Sequence, residues 1–592
     1  MQILSSNKKF PGNLQNISLM LKRNVSSFGD RIVFREKIQE GKYEGISWAD
    51  FYKNIENIAF NLRRLGFSKG DKMVLFSPNR LEMLEMELAV MASGGIAVPI
   101  FAYFKKETAE LLIGHSDARF LAVSGKVQLD NLSSDSASNP NATTSSLEHI
   151  FVFDAIQHEH FPNLVPFKEL LKEKPDKTEV LNFDMPEDEI CLNIYTSGTM
   201  GTPKCVQLTH QNILSQQAAL NLIWDIGECD RFLSYLPWHH SFGGIFELFT
   251  ALYHGATYHL ESSFGRDPAM IIENWKLVKP TVFFSVPKVY QAIVEQARGD
   301  REVEDLLFNS GLKFIFTAAA ALPERLSNEF EERGIPVIEG WGLTETSPCC
   351  TLTDPALKRQ TGVVGKPIPG VSICIGAEDE ILVKGPNVMV GYYKNDEANA
   401  GIFTEDGWFR TGDVGEITET GLKLISRKDR IFKLSNGEKV VPTDLEKLIE
   451  LKCHYVSYAI VAGSGEEYPV ALIFPNKKML DNPDYEVSPF DGCFCPRNLN
   501  ELSKCLTGCL HDANCGIKQK FAKIKAAAIV DDELSLEKNT LTPSMKVAPK
   551  IVLEKYKKQL FNLYEGKVPS EEDVYVIELK TNNLIGRKIE QD

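Results

Sequence analysis

The sequence lacks an apolar run that could cross a membrane. The uncharged stretch from Leu88 to Phe104 is interrupted by Gly94, Gly95 and Pro99. It falls short of the roughly 20 apolar residues that a membrane-spanning helix needs. The N-terminal residues also lack the sustained apolar segment that follows the charges in a secretory signal. We therefore expect a cytoplasmic protein, and the composition leaves peripheral association with a membrane open.

Cysteine and basic residues are too few for two further classes of protein. Twelve cysteines in 592 residues are too dilute for a scaffold held together by disulfides. Lys and Arg number 65 against 80 Asp and Glu, which gives a formal charge of −15. An acidic protein lacks the clustered cations that a nucleic-acid-binding surface needs to displace counterions, so we expect no nucleic-acid partner. A local pocket can still be positive and bind a small anion.

Five of the cysteines crowd together late in the chain, in an insertion over about residues 480–520. They are Cys493, Cys495, Cys505, Cys509 and Cys515, with His511 among them. Four thiols would suit zinc, but the spacing lacks the paired Cys-x-x-Cys units typical of zinc sites. We favour a helical, partly buried insertion with free thiols, and metal binding is the minor alternative.

Short runs rich in Val, Ile and Phe recur between amphipathic stretches in the first half of the chain. They are KMVLFS at 72–77, ARFLAVS at 118–124, HIFVFD at 149–154, TVFFSVP at 281–287 and KFIFTA at 313–318. Strands that alternate with helices predict an α/β fold with buried parallel sheets. Beyond residue 370, shorter strands between Gly-rich turns predict a β-rich subdomain, and a charged stretch at 426–433 precedes a new α/β unit.

The densest cluster of glycines and hydroxyl residues is YTSGTMGTPK at 195–204, directly after the apolar segment Cys191–Ile194. Its glycines let the backbone turn several N–H groups toward one point, its hydroxyls add donors, and Lys204 adds a positive charge. Many donors, little bulk and one cation suit a triphosphate. The segment is not a Walker A loop, because Pro203 precedes the lysine and no Ser or Thr follows it.

This segment resembles the phosphate loop of the adenylate-forming superfamily, and further motifs occur in that family's order. They are GWGLTETSP at 340–348, GWFRTGDVG at 407–415 and ISRKDRIFKLSNGEKVVPTDLE at 425–446. The resemblance covers roughly residues 25–565. It implies a large N-terminal domain over 1–426, made of α/β subdomains plus a β-rich subdomain. A hinge at 427–430 and a small, mobile α+β C-terminal domain over 431–592 would follow.

The resemblance also assigns residues to ATP and Mg²⁺. The loop residues that would bind the phosphates are Thr196, Ser197, Gly198, Thr199, Gly201, Thr202 and Lys204. Glu345, with Thr199, would bind a Mg²⁺ ion that bridges phosphate oxygens. Thr344 would line the phosphate and carboxylate site. Trp341 would stack on adenine, at a position where the family usually has Tyr.

The ribose and the hinge are assigned in the same way. Asp413, in the Thr-Gly-Asp motif, would accept both ribose hydroxyls, and Arg427 would add a donor to the same ribose. Asp429 would be the residue about which the C-terminal domain rotates. The structural alternatives are an Asx-turn residue for Asp413, a solvated charge for Arg427 and a capping residue for Asp429.

Two further assignments concern the acid substrate. His240, in LPWHHSFGGIFEL at 236–248, aligns with the family's histidine beside the acyl pocket. The segment LTPSMKVAPK at 541–550 resembles the Thr-Pro-x-x-Lys variant of long-chain acyl-CoA synthetases. Lys546 is then the catalytic lysine, which would stabilise charge as the adenylate forms. The structural alternatives are a core histidine at 240 and an exposed turn lysine at 546.

Taken together, the motifs imply an ATP-dependent ligase that joins a long-chain fatty acid to CoA through an acyl-AMP intermediate. Its cosubstrates would be ATP, with Mg²⁺, and CoA. Four alternatives remain at this point. They are a ligase for acyl carrier protein, an aryl or medium-chain acid–CoA ligase, a luciferase-like oxygenase and a non-catalytic nucleotide-binding scaffold.

Overall fold

The computed structural model describes residues 2–39, 41–133, 146–175, 178–196, 203–309, 311–318, 322–360, 362–480, 496–535, 538–542, 546–565, 574–580 and 583–587. The chain divides into two compact units. The first contains residues 1–411 and 416–423, and the second contains residues 412–415 and 424–592. The predicted hinge at 427–430 lies inside the second unit, close to this boundary, and its function as a hinge stays a prediction.

The first unit contains two large sheets with parallel cores. One has the strands, in spatial order, Gly391–Tyr392, Lys204–Thr209, Ile190–Thr196, Ile96–Ile100, Lys72–Phe76, Phe120–Val123, His149–Val152 and Val165–Pro166. The six strands from Ile190–Thr196 onward run parallel, whereas Lys204–Thr209 is antiparallel to both of its neighbours. The apolar runs at 72–77, 118–124 and 149–154 are confirmed as strands.

The other large sheet is assembled in the same manner. Its strands, in spatial order, are Lys366–Pro367, Thr351–Leu352, Val337–Trp341, Phe314–Thr317, Val282–Ser285, Arg231–Ser234, Thr257–Leu260, Ile32–Gln39 and Lys42–Ser47. The six strands from Val337–Trp341 to Ile32–Gln39 are parallel, and antiparallel strands close both edges. The runs at 281–287 and 313–318 are confirmed as strands, since they contain the fully buried central strands Val282–Ser285 and Phe314–Thr317.

A third sheet accounts for the change of texture beyond residue 370. It contains Ile3–Ser5, Ser372–Ile375, Glu380–Lys384, Phe409–Ile417 and Leu422–Arg427, in that spatial order. The predicted β-rich subdomain is therefore present, and the chain division between the two units falls within its last two strands. The pairing of Ile3–Ser5 with Ser372–Ile375 was not predicted, because three residues carry too little pattern to signal a strand.

Helices follow most of the parallel strands of the first unit. The α-helices are Ile17–Phe28, Trp48–Arg64, Leu81–Ala92, Lys106–Ser116, Lys126–Ser133, Phe167–Leu170, His210–Leu220, Leu248–His254, Pro268–Val278, Pro287–Ala297, Arg301–Asn309, Glu324–Glu331 and Asp396–Asn399. Short 3₁₀ turns occur at Thr344–Thr346 and Ala377–Asp379. In the part of the chain that the structure describes, no helix combines the length and apolarity needed to cross a membrane.

The second unit is a five-stranded sheet covered by helices on both faces. Its strands are Val456–Ala462, Val470–Pro475, Ala526–Val530, Val574–Lys580 and Asn583–Arg587, and a separate ladder joins Phe432–Lys433 to Lys439–Val440. The helices are Pro442–Lys452, Lys477–Leu480, Leu499–Gly516, Pro549–Lys555 and Lys557–Glu565, with a 3₁₀ turn at Lys520–Ala522. Alternate residues of the central strands enter two different apolar clusters, as expected for a sheet buried on both sides.

The segment at 236–248 folds as a tight turn into a π-helix, Phe242–Glu247, which continues into the helix Leu248–His254. The backbone of the turn passes so close to this helix that side chains are excluded at two positions. A Cβ atom on Gly244 would lie 2.0 Å from the carbonyl oxygen of Trp238, and one on Gly243 would lie 2.6 Å from that of Leu236. The glycine pair is therefore a steric requirement of this turn.

We expect Gly244→Ala to destabilise the first unit by about 1–3 kcal/mol, because a backbone atom would have to move to admit the methyl group. The measurement is the melting temperature of the full chain by calorimetry. Gly508→Ala is the control, since Gly508 is also helical and its Cβ would meet nothing within 4 Å. That change should be neutral or stabilising by about 0.5–1 kcal/mol. Equal effects of the two substitutions would contradict the steric argument.

Candidate functional site

The predicted phosphate loop is framed by two antiparallel strands of the eight-stranded sheet. Thr196 ends one strand and Lys204 begins the next, and the two residues are paired in register. The Thr196 hydroxyl donates to the carbonyl oxygen of Lys204 at 3.4 Å. Both ends of the loop are thus fixed side by side. The other predicted loop residues, Ser197, Gly198, Thr199, Gly201 and Thr202, lie outside the described residues.

Lys204 and Glu345 are brought together around a tyrosine that the sequence analysis did not single out. The hydroxyl of Tyr392 donates to Glu345 Oε1 at 2.7 Å, and Lys204 Nζ lies 4.8 Å from the centroid of the Tyr392 ring. We call Lys204, Glu345 and Tyr392 the Glu345 cluster. In this cluster, the Lys204 ammonium lies over the ring of a tyrosine whose hydroxyl is hydrogen-bonded to the Glu345 carboxylate.

Strand pairing explains how Tyr392 reaches this position. Gly391–Tyr392 pairs with Lys204–Thr209, with Tyr392 opposite Val206, and the Met389 N–H donates to the backbone carbonyl of Glu345 at 2.8 Å. The available signal in the sequence was the Gly-Tyr-Tyr segment at 391–393. It is indistinguishable from an ordinary short strand until the pairing is known.

Thr344 and Glu345 lie on a 3₁₀ turn that is separated by two residues from the end of the strand Val337–Trp341. The hydroxyl of buried Thr344 shares a 2.9 Å hydrogen bond with the hydroxyl of Ser241, which ties this turn to the segment at 236–248. Ser241 is a second residue that the sequence analysis missed. Gly342 makes the turn sterically feasible, since a Cβ there would lie 1.6 Å from the carbonyl oxygen of Pro348.

Trp341 and His240 flank this region with different exposures. Trp341 ends its strand with 7% of its surface exposed, so most of the indole is already covered by protein. His240 is half-buried, and its Nδ1 accepts a hydrogen bond from the Phe242 N–H at 3.2 Å. It is therefore held by the π-helix rather than buried in the core. The stacking role of Trp341 and the acyl-pocket role of His240 stay predictions.

In the second unit, the predicted ribose and hinge residues form one connected group. Arg427 Nη1 donates to Asp413 Oδ1 at 2.9 Å, and Arg427 Nε lies 3.8 Å from Asp429 Oδ1. Asp413 is buried, with 9% of its surface exposed, whereas the Arg427 side chain is 43% exposed. Gly412 beside them has φ = +70°, a left-handed conformation that favours glycine. We call Asp413, Arg427 and Asp429 the Asp413 cluster.

Lys546 also belongs to the second unit and interacts electrostatically with this cluster. Its backbone is fixed to Thr542, whose N–H donates to the Lys546 carbonyl at 2.7 Å. The side chain keeps an exposed surface. The pKa of its ammonium is lowered overall. Desolvation is the largest cause, Asp413 opposes the lowering and Arg427 adds to it. The structure therefore places the predicted catalytic lysine within the electrostatic influence of the predicted ribose carboxylate.

The comparisons with protein-family models match both parts of the chain. A model described as "AMP-binding enzyme" matches residues 21–393, and one described as "AMP-binding enzyme C-terminal domain" matches residues 429–568. Long chain acyl-CoA synthetase 3 of Arabidopsis thaliana is 27% identical, over 90% of this chain and 89% of that protein. Long-chain-fatty-acid–CoA ligase FadD15 of Mycobacterium bovis is 26% identical, over 93% and 98%.

Solved structures of the same fold are more distant in sequence. O-succinylbenzoate coenzyme A synthetase of Bacillus subtilis, in complex with AMP, superposes with a TM-score of 0.69 at 22% identity, over 91% of this chain and 98% of that one. ATP-bound MatB of Rhodopseudomonas palustris superposes with a TM-score of 0.73 at 21% identity, over 92% and 99%. These likenesses confirm the predicted α/β fold class with its large N-terminal and smaller C-terminal domain.

We expect Asp413→Asn to weaken AMP binding by roughly 10–100-fold, because hydrogen bonds to a charged group contribute about 1.5–3 kcal/mol. Calorimetric titration with AMP measures this directly. The matched control is Glu416→Gln, which removes an exposed ion pair, Glu416–Lys423 at 2.7 Å, from the same two strands. The control should stay within about twofold of the unmodified chain, since exposed pairs contribute little. Equal AMP affinities in all three proteins would refute the ribose assignment.

Proposed function

Since this chain belongs to the AMP-binding enzyme family, we propose that it is an ATP-dependent ligase that converts a long-chain fatty acid to its CoA thioester. The observation that carries the proposal is the near full-length match to relatives named long-chain acyl-CoA synthetases and ligases, from Arabidopsis, Mycobacterium and mouse, at 26–27% identity. The Glu345 and Asp413 clusters supply the side-chain chemistry that such a reaction needs.

In the first half-reaction, an oxygen of the fatty acid carboxylate attacks the α-phosphorus of ATP. The bond to the β-phosphate oxygen breaks, and pyrophosphate leaves with its electron pair. Lys204 and the loop N–H groups would neutralise charge on the phosphates, and Lys546 would stabilise the charge that develops as the acyl-AMP forms. Asp413 and Arg427 would hold the ribose and so fix the position of the α-phosphate.

The Glu345 carboxylate fits Mg²⁺. It is a half-buried oxygen donor of the kind that this ion prefers, and Tyr392 fixes the orientation of one of its oxygens. Glu345 would hold the ion together with phosphate oxygens of ATP, and Thr199 is the proposed further ligand. When bound, the ion would screen phosphate charge and so ease the approach of a second anion.

In the second half-reaction, the thiol of CoA attacks the acyl carbonyl. A carbon–sulfur bond forms, AMP leaves with the electron pair of the mixed anhydride, and the thiol proton passes to solvent. Rotation of the C-terminal domain about Asp429 would remove Lys546 from the site between the two steps. Long acyl chains partition into bilayers, so peripheral membrane association belongs to the proposal.

We expect pyrophosphate release that requires ATP, Mg²⁺ and a long-chain acid, with turnover that requires CoA. Lys546→Ala should lower the rate of adenylation by roughly 100–1,000-fold, as for loss of one group that stabilises transition-state charge. Lys550→Ala is the control, because this exposed lysine lies on the adjoining helix. Acids from acetate to oleate, and benzoate, are each assayed with and without CoA.

Several outcomes would contradict the proposal. Adenylate formation without CoA turnover would favour a carrier-protein ligase, and activity confined to benzoate would favour an aryl acid ligase. Absence of any acid-dependent release would leave a nucleotide-binding scaffold. Equal loss of activity in Lys546→Ala and Lys550→Ala would remove the specific role of Lys546.

We expect Tyr392→Phe to raise the Mg²⁺ concentration needed for half-maximal adenylation by about tenfold, since groups that orient a metal ligand contribute 10–100-fold to metal affinity. The change removes only the hydroxyl that donates to Glu345. Tyr393→Phe is the matched control, because the neighbouring hydroxyl donates instead to Asp117 at 2.6 Å. A Mg²⁺ dependence that is unchanged in Tyr392→Phe would separate Tyr392 from ion binding.

A further inference from the structure

We propose that Cys453, Cys505 and Cys509 form a binding site for a soft divalent metal ion, and that zinc is the ion that fits it best. These residues, called here the three-thiol cluster, lie within the second unit. The proposal is independent of the proposed ligase function. It concerns a metal that would stabilise this unit and take no part in the reaction.

The geometry of the three sulfur atoms supports metal binding. All three Sγ atoms lie within 4.8 Å of one another. In a tetrahedral site with Zn–S bonds of about 2.3 Å, the sulfurs are roughly 3.8 Å apart. Adjustments of less than about 1 Å would therefore suffice. Within the ranges that the structure describes, this is the one group of three or more Cys, His, Asp or Glu side chains with such convergence.

The three thiols lie on, or directly after, two helices of the second unit. Cys453 directly follows the helix Pro442–Lys452, and Cys505 and Cys509 lie one turn apart on the helix Leu499–Gly516. Residues at i and i+4 project from the same helix face, which is the spacing by which a single helix supplies two metal ligands. A bound ion would thus join the insertion helix to the end of its neighbour.

The surroundings of the cluster distinguish it from exposed thiols elsewhere. Cys453 and Cys505 are buried in the apolar cluster that covers one face of the sheet, and Cys509 packs against that cluster half-buried. A single buried cysteine behaves as a small apolar residue, whereas three converging thiols place polar S–H groups against one another.

A disulfide is the main chemical alternative. Cβ atoms at i and i+4 of a helix are about 5–6 Å apart, but a disulfide needs about 3.5–4.5 Å, so Cys505 and Cys509 are poorly placed to form one. A bond from Cys453 to either of them would leave the third thiol unused. Metal binding uses all three: each S–H loses its proton to solvent as a metal–sulfur bond forms, and no atom changes its oxidation state.

The test is metal content and cobalt binding of the reduced full chain. We expect one equivalent of zinc after dialysis with Zn²⁺, and one equivalent of Co²⁺ with thiolate-to-cobalt charge-transfer absorption. Cys505→Ser and Cys509→Ser should lose this absorption. Cys515→Ser should keep it, because Cys515 is exposed on the same helix and its sulfur lies 3.9 Å from His511 Nδ1, outside the cluster.

A second measurement on the unmodified chain guards against variants that fail to fold. With zinc bound, alkylation should spare half-buried Cys509 and modify exposed Cys229 and Cys515, and a chelator should abolish the protection of Cys509 while lowering the melting temperature. Absence of cobalt absorption in the reduced chain would overturn the proposal. So would full cobalt binding by Cys505→Ser, or a disulfide-linked Cys453 peptide from freshly isolated protein. None of these results depends on acyl-CoA synthesis.

Discussion

The strand Lys204–Thr209 pairs with Ile190–Thr196 on one side and with Gly391–Tyr392 on the other, and both pairings are antiparallel. The first pairing holds the two ends of the predicted phosphate loop, Thr196 and Lys204, side by side on adjacent strands. The second brings Tyr392 beside Lys204 and, through its hydroxyl, fixes Glu345. A shift of one residue in this strand would turn its side chains to the opposite face of the sheet. The residues of the Glu345 cluster would then no longer be in contact. The register of this strand is therefore the constraint on which the first part of the candidate site depends.

Charge is distributed locally, and this makes an anionic ligand compatible with an acidic protein. The chain carries a formal charge of −15, yet Lys204 lies over the ring of Tyr392. Arg427 lies beside two carboxylates, those of Asp413 and Asp429. In the Asp413 cluster, the buried carboxylate is compensated by a half-exposed guanidinium, so neither charge is isolated in the interior. A ligand with hydroxyls can donate to the Asp413 carboxylate without separating the pair, whereas an anionic ligand would be repelled by that carboxylate. The arrangement suits the ribose role better than a phosphate role.

The sequence predicted the fold class because its motifs are local, whereas the roles assigned to its site residues stay predictions. Composition suggests an anionic ligand for the segment that contains Lys204. Glu345, Asp413 and Arg427 are assigned through the resemblance of their segments to the adenylate-forming family. Tyr392, Ser241 and Cys453 could not be found in that way. Tyr392 and Ser241 acquire their partners through strand pairing and through a turn that contacts a distant 3₁₀ segment. Cys453 lies outside the crowded cysteines and joins two of them only because its helix ends against theirs.

Steric requirements and chemistry are combined in the same motifs, and they should be weighed separately. Gly342 and Gly244 are needed because a Cβ would collide with backbone oxygens, and Gly412 because of its positive φ. Glycines that match those of another protein therefore indicate a similar path of the backbone and say less about the reaction. The hydroxyl of Tyr392 on Glu345 and the guanidinium of Arg427 on Asp413 are different, since neither contact is needed to turn the chain. These polar contacts, rather than the glycines around them, are the features that bear on the chemistry of the site.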